Sequence, residues 1–135
     1  MCIRDRCIAD LVVRPNDHKA VKDVAEICWE LSIPLTLRGS GTGNYGQAVP
    51  LFKGVVMQMS QFNKLEEFDP DTGFVKVQSG CLMGDLNKQL EKYGRELRLL
   101  PSTWKTATIG GFIACLLYTS PSPRDATLSR MPSSA

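Results

Sequence analysis

Gly39, Gly41, Gly43 and Gly46 stand within one eight-residue stretch, with Ser40 and Thr42 between them and Arg38 in front. Glycine backbone is costly to order, so a run this bare suggests that something approaches the main chain closely. Successive peptide N–H groups in such a loop form a nest that binds anions, and the two hydroxyls add donors. A second stretch, TATIGG, places Thr106 and Thr108 ahead of Gly110 and Gly111. Two loops of this kind facing each other would grip a diphosphate from both sides. Arg38 is the one positive group in the first loop. It either adds to such an anion site or serves locally, pairing a carboxylate or capping carbonyls.

Several templates compete for the first loop. Gly41, Gly43 and Gly46 satisfy G-x-G-x-x-G, and Glu66 lies about where a ribose-binding acid of a dinucleotide fold would stand. That Rossmann-type reading, an NAD-binding domain, requires a helix starting inside the loop, and Pro50 and Gly54 leave little room for one. A Walker loop is excluded because no Lys-Ser or Lys-Thr follows the glycines, and the kinase loop lacks its downstream lysine strand. A plain long turn between strands leaves the second glycine pair unexplained. A non-enzymatic nucleotide- or phosphate-binding module remains an alternative to an enzyme.

Other side chains offer less. Of the cysteines, Cys7, Cys28 and Cys81 lie away from the two ends, with no CxxC spacing, so neither a disulfide framework nor a metal site is expected. His18, the only histidine, opens the first expected helix and reads as a solvated or capping residue. Cys81 reads as a small packed residue. Trp29 lies beside an apolar stripe and reads as core; Trp104 sits in the second loop. Glu66 and Glu67 are adjacent in an expected strand and point to opposite faces, so they make no acid/base pair.

The chain has 135 residues, 43% hydrophobic and 22% charged, the composition of an ordinary globular domain. No run is long and apolar enough to cross a bilayer. The formal net charge of +2 points to neither nucleic acid nor membrane. That charge comes from the ends, where Arg4, Arg6, Arg124 and Arg130 outweigh Asp5 and Asp125, so residues 7–114 are formally neutral. Local backbone dipoles rather than bulk charge would then hold an anion.

The ends have a character of their own. Back-translated, Met1–Arg6 fits ATG-TGT-ATA-AGA-GAC-AG, and Cys115–Ser120 fits TGT-CTC-TTA-TAC-ACA-TCT, an inverted copy of the same element. Both resemble a transposase end used in sequencing libraries. Residues 121–125 and 129–135 resemble the adaptor that follows it. Residues 1–6 and 115–135 are therefore expected to be adaptor-derived, the latter disordered, and the remainder a fragment of a longer protein.

Local pattern supplies the elements. Leu11–Arg14 reads as a short strand stopped by Pro15. Asn16 or Asp17 caps a helix whose Val21, Val24, Ala25, Cys28 and Leu31 share one face. The segment 33–39 reads as a buried strand, parallel to the first across a helical crossover. GVVMQMS is a third strand, and KLEEFD, PDTG and FVKVQSG form a hairpin. A second helix aligns Leu86, Leu90 and Tyr93 and ends at Gly94. ELRLLP reads as a last strand. The expected class is α+β, in two small lobes over residues 7–51 and 52–114.

The order VVRPNDHKAVKDVAEICWELSIPLTLRGSGT, GVVMQMSQFNKL, VKVQSGCLMGDLNKQL, LLPSTWKTATIGGFIA resembles the N-terminal half of a flavin-binding domain. The family is that of vanillyl-alcohol oxidase and p-cresol methylhydroxylase, in its glycolate and D-lactate dehydrogenase branch. The likeness covers residues 11–114. It implies the PCMH-type fold, FAD between two α+β lobes, and a second lobe that is incomplete here. It implies FAD contacts from Arg38, Gly39, Ser40, Gly41, Thr42, Gly43 and Asn44, and from Pro101, Ser102, Thr103, Thr108, Ile109, Gly110 and Gly111. Some members carry FAD on a histidine of the first loop, where this sequence has Gly41, so the resemblance implies non-covalent FAD. It also implies an oxidoreductase that moves hydride from an alcohol or 2-hydroxy acid to FAD. The substrate pocket and catalytic base would lie in sequence beyond residue 114, so no catalytic residue is named. A small-molecule substrate and a cytoplasmic location are expected; the oligomeric state is left open.

Overall fold

Val55, Val56 and Met57 form an unbroken apolar run, the mark of a strand covered on both faces. In the computed structural model, which describes residues 7–115, this run belongs to the middle strand of a parallel sheet. The expectations for residues 1–6 and 116–135 lie outside the described residues. The elements are β1 (Leu11–Val13), α1 (His18–Glu30), β2 (Leu35–Arg38), β3 (Val55–Gln58), β4 (Leu65–Phe68), β5 (Val75–Val77), α2 (Met83–Glu91) and α3 (Ile109–Ala114).

Strand order in the first sheet is β1-β3-β2. Val12 pairs with Val56 on one side and Thr36 pairs with Val56 on the other. The crossover through α1 leaves a slot between β1 and β2, and the loop after β2 returns the chain to fill it. Position 51/52, the expected lobe boundary, therefore precedes a strand that hydrogen-bonds into the first sheet. Gly54, at φ +75°, makes the tight entry: an added β-carbon there would overlap the Pro34 carbonyl oxygen. The Asp10 carboxylate accepts the Gly54 amide at 2.8 Å and ties β1 to the same corner.

Helix α1 starts where its cap dictates, with Asp17 accepting from the Ala20 amide at 2.7 Å. Its inner face buries Cys28 and half-buries Val21, Val24 and Ala25. Trp29 departs from expectation: it is 87% exposed. One residue beyond Cys28 is about 100° round the helix, which carries the indole off the apolar stripe. Leu31 is exposed as well, since the helix has ended and Ser32 turns left-handed at φ 53°.

The second sheet is the expected hairpin. Leu65 pairs with Val77 and Phe68 with Val75, with a bulge between Leu65 and Glu67. At the turn, Asp69 accepts from the Thr72 hydroxyl and from the Asp71 and Thr72 amides, and these bonds, the hydroxyl's first, hold its carboxyl below the ordinary range. Behind the hairpin, Cys81, Leu86 and Leu90 form a core against Leu65, Phe68, Val75, Val77, Leu97 and Ile109. Gly94 follows α2 at φ +66°, as a C-terminal glycine should. Tyr93 lies past the helix end, tilted against Phe68.

Residues 96–101 are not a strand. Their apolar alternation is real, but they pair with no strand among the described residues. The Leu97 amide bonds the Asn87 side chain instead, at 2.9 Å.

One contact joins the first helix to the hairpin. His18 Nε2 lies 2.7 Å from Glu66 Oε1, with the imidazole edge-on to Phe62. Gln78 and Lys76 reach the same carboxylate. The His18 hydrogen bond, then that of Gln78, holds the Glu66 carboxyl below its ordinary range. His18 is thus a partner for Glu66 rather than simply a solvated residue.

Candidate functional site

β2 ends at Arg38 and releases the chain into residues 39–46, which have no helix or strand. The helix that a Rossmann-type loop would start at Gly43 is absent. Gly41 is left-handed at φ +70° and Gly46 at φ +78°. A left-handed residue within such a run is what lets neighbouring amides turn to one side. Among the described residues, the amides of Ser40, Gly41, Thr42, Gly43 and Asn44 donate to no acceptor. The Arg38 guanidinium lies over this row: a β-carbon on Gly41 would come within 3.0 Å of its Nη2. Arg38 forms no ion pair among the described residues. A free cation beside free amides is an arrangement that attracts an anion.

The second loop behaves differently. Thr108 is 4% exposed and caps α3 by accepting the Gly111 amide at 3.2 Å. The Ile109 amide donates to Cys81 O at 2.9 Å, and the Gly110 amide to Ser79 O at 2.8 Å. These three amides are engaged within the protein, so the expected donor role is not open to them. The glycines serve close approach instead. A β-carbon on Gly110 would press on Ser79, and one on Gly111 would lie 3.0 Å from Thr108 Oγ1. Upstream, Thr103 O accepts the amides of Thr106 and Ala107, closing a turn that leaves Ser102 and Thr103 exposed. Trp104 is half-buried, with the Lys105 ammonium 5.6 Å from its ring.

The two loops meet. Gly39 abuts Thr108 so closely that an added β-carbon would overlap the threonine hydroxyl. Beside this contact runs a cleft of about 410 Å³, lined by Ser40 and Thr108 together with Ser60, Asn63, Gly80, Cys81, Leu82, Asp85 and Gln89. That volume falls within the range of small-molecule sites, roughly 300–1,000 Å³. Arg38, Gly41–Asn44, Pro101–Thr103 and Ile109–Gly111 do not line it; the first loop lies at its rim through Ser40. The remaining lining side chains were not singled out as cofactor contacts from sequence. Ser60 and Asn63 follow β3, Gly80, Cys81 and Leu82 lead into α2, and Asp85 and Gln89 lie on α2, segments whose pattern speaks only of packing. Gly80 is the exception in principle, because a β-carbon there would overlap the Met59 carbonyl oxygen.

Cys81 is 2% exposed and belongs to the core behind the hairpin, as expected. Burial, helped by the nearby Asp85 charge, pushes its thiol above the ordinary value, so it stays protonated and is a poor nucleophile. Among the described residues, no group of three His, Cys, Asp or Glu side chains is arranged to hold a metal. No helix among them is long and apolar enough to cross a membrane.

The sequence and the fold both match known proteins. The family described as "FAD binding domain" matches residues 9–124. The chain is 34% identical over 114 residues to a D-lactate dehydrogenase of Anaerostipes hadrus, covering 84% of this chain and 24% of that protein. It is 34% identical over 110 residues to the D-2-hydroxyglutarate dehydrogenase of Escherichia coli, covering 78% and 11%. It is 31% identical over 115 residues to the glycolate oxidase subunit GlcD of the same species, covering 80% and 23%. Among solved structures, an alkyldihydroxyacetonephosphate synthase superposes with a TM-score of 0.71 at 26% identity, over 76% of this chain and 21% of that one. The chain thus spans a quarter or less of the length of these relatives.

Proposed function

Because this chain belongs to the FAD binding domain family, we propose that it is the FAD-holding part of a flavin-dependent oxidoreductase acting on a 2-hydroxy acid or another alcohol. The observation that carries this reading is the row of unengaged amides from Ser40 to Asn44, under the Arg38 guanidinium and at the rim of a cleft shared with Thr108. These residues fit a diphosphate. The amides and the Ser40 and Thr42 hydroxyls donate, and Arg38 supplies the positive charge that a neutral surface lacks. Of the second loop, Thr108 lines the cleft; Pro101, Ser102, Thr103, Ile109, Gly110 and Gly111 would support that wall rather than donate, the α3 amides being engaged within the protein. FAD, when bound, supplies the chemistry by accepting hydride from the carbon that bears the hydroxyl.

With Gly41 where a histidyl link would form and Cys81 buried and protonated, attachment is non-covalent. The named relatives act on D-lactate, D-2-hydroxyglutarate and glycolate, which supports a 2-hydroxy acid as substrate. The substrate and its proton acceptor are met by sequence outside this segment, in the cytoplasm. Residues 1–6 and 115–135 derive from adaptor DNA, which sequencing the source through the junction at Ala114 checks.

Titrating the 135-residue chain with ADP, followed by amide NMR, tests the site without requiring turnover. Saturable shifts are expected at Ser40–Asn44. Shifts confined to other residues, or none at millimolar ADP, overturn the reading.

A further inference from the structure

We propose that Gln58, at the end of β3, is the positioning residue for the amide row: it orients the Gly39–Ser40 peptide so that the Ser40 N–H faces the diphosphate. This rests on the reading of residues 39–44 as the diphosphate seat. Gln58 Nε2 donates to the Gly39 carbonyl oxygen at 2.9 Å. In a trans peptide the carbonyl and the following N–H point in opposite directions, and no peptide bond among the described residues is cis. Holding the Gly39 oxygen toward β3 therefore aims the Ser40 N–H away from β3. Ser40 lines the cleft and Gln58 does not, which is the arrangement such a lever needs.

Glycine makes the lever necessary. With no β-carbon at Gly39 and Gly41, the backbone has little intrinsic reason to keep that peptide in one orientation. A flipped Gly39–Ser40 peptide would turn a carbonyl oxygen toward the anion. Gln58 prevents this from a rigid base, because it is in register with Arg38 in the β2–β3 ladder. Thr108 blocks Gly39 through a second contact, so the peptide is held by two side chains. A glutamate at position 58, although similar in shape, could only accept when ionised and would add negative charge beside the site.

The test compares the wild-type 135-residue chain with Gln58→Met, using ADP and adenosine as separate probes in amide NMR titrations. ADP should bind about five- to tenfold more weakly to the variant, the worth of one hydrogen bond, while adenosine binding stays unchanged. Equal ADP affinity in the two chains overturns the role of Gln58 and leaves the diphosphate seat standing. A parallel loss for ADP and adenosine also overturns it, since that marks general loosening. If ADP fails to move Ser40–Asn44 in the wild type, the seat itself falls and this inference falls with it. A measurement on the wild type alone covers the case of a variant that does not fold. The Gln58 side-chain amide protons should exchange with solvent well below the free-amide rate, and exchange at the free rate refutes the proposal.

Discussion

Gly39→Ala isolates the contact on which the convergence of the two loops depends. Gly39 is not among the left-handed glycines, so alanine fits its backbone, and by that criterion alone the change should stabilise by about 0.4–1 kcal/mol. The added methyl, however, meets Thr108 Oγ1, with Thr108 Cγ2 at 3.3 Å and Cβ at 3.4 Å behind it. Relief requires Thr108 to rotate or the loops to part. Rotation forfeits the cap on Gly111, about 1 kcal/mol, and residual crowding costs about 1–3 kcal/mol. The net expectation is a loss of about 2 kcal/mol, or roughly 8 °C in melting temperature for a domain of this size. Thr108→Ala alone should cost about 1 kcal/mol through the lost cap. In the Thr108→Ala background the obstacle is gone, and Gly39→Ala should be neutral or slightly stabilising. Urea and thermal melts of the four chains, read by circular dichroism, measure the cycle. Gly39→Ala costing the same in both backgrounds, or stabilising the wild type, refutes the contact and with it the meeting of the loops.

Other expectations follow from single contacts. Gly80→Ala places a β-carbon on the Met59 carbonyl oxygen, backbone that cannot swing aside; it should cost about 3 kcal/mol or more, visible as lost helical signal or a much lower urea midpoint. Leu86→Ala empties the core behind the hairpin at a residue 1% exposed, and should cost about 2–5 kcal/mol by the same melts. Glu66 is held below its ordinary 4.5 by His18 and Gln78, so its stabilisation is present above that value and is lost as pH falls through the lower folded value. The stability gap between wild type and Glu66→Gln should therefore be widest above pH 4.5 and close on acidification; Asp69 shifts the same way but is common to both chains and cancels. The 135-residue chain should release FAD on gel filtration, since Leu37, Tyr45 and Phe52 lie exposed around the first sheet and its loop rather than covered; stoichiometric flavin absorbance after the column would contradict this.

The local elements were legible because their causes are local. Asp17 and the spacing of Val21, Val24 and Cys28 define α1, and Pro70 and Gly73 define the hairpin turn. Glycine spacing also marked both loops, and their resemblance to flavin-binding motifs led to the family that comparison confirms. What local pattern misjudged was anything decided by a distant neighbour. Trp29 reads as core until the sheet shows which face of α1 it covers, and residues 96–101 read as a strand until no partner strand is found. The division of labour between the loops is the sharpest case. TATIGG and RGSGTG look alike as sources of amides, yet the carbonyls of Ser79 and Cys81, some thirty positions away, claim the Gly110 and Ile109 amides, while no such acceptor reaches Ser40–Asn44. Composition and spacing determined that backbone donors would exist at both places. Only the fold decided which remain available, because a hydrogen-bond donor is spent by whatever acceptor the chain brings beside it, and that depends on packing rather than on neighbours in sequence.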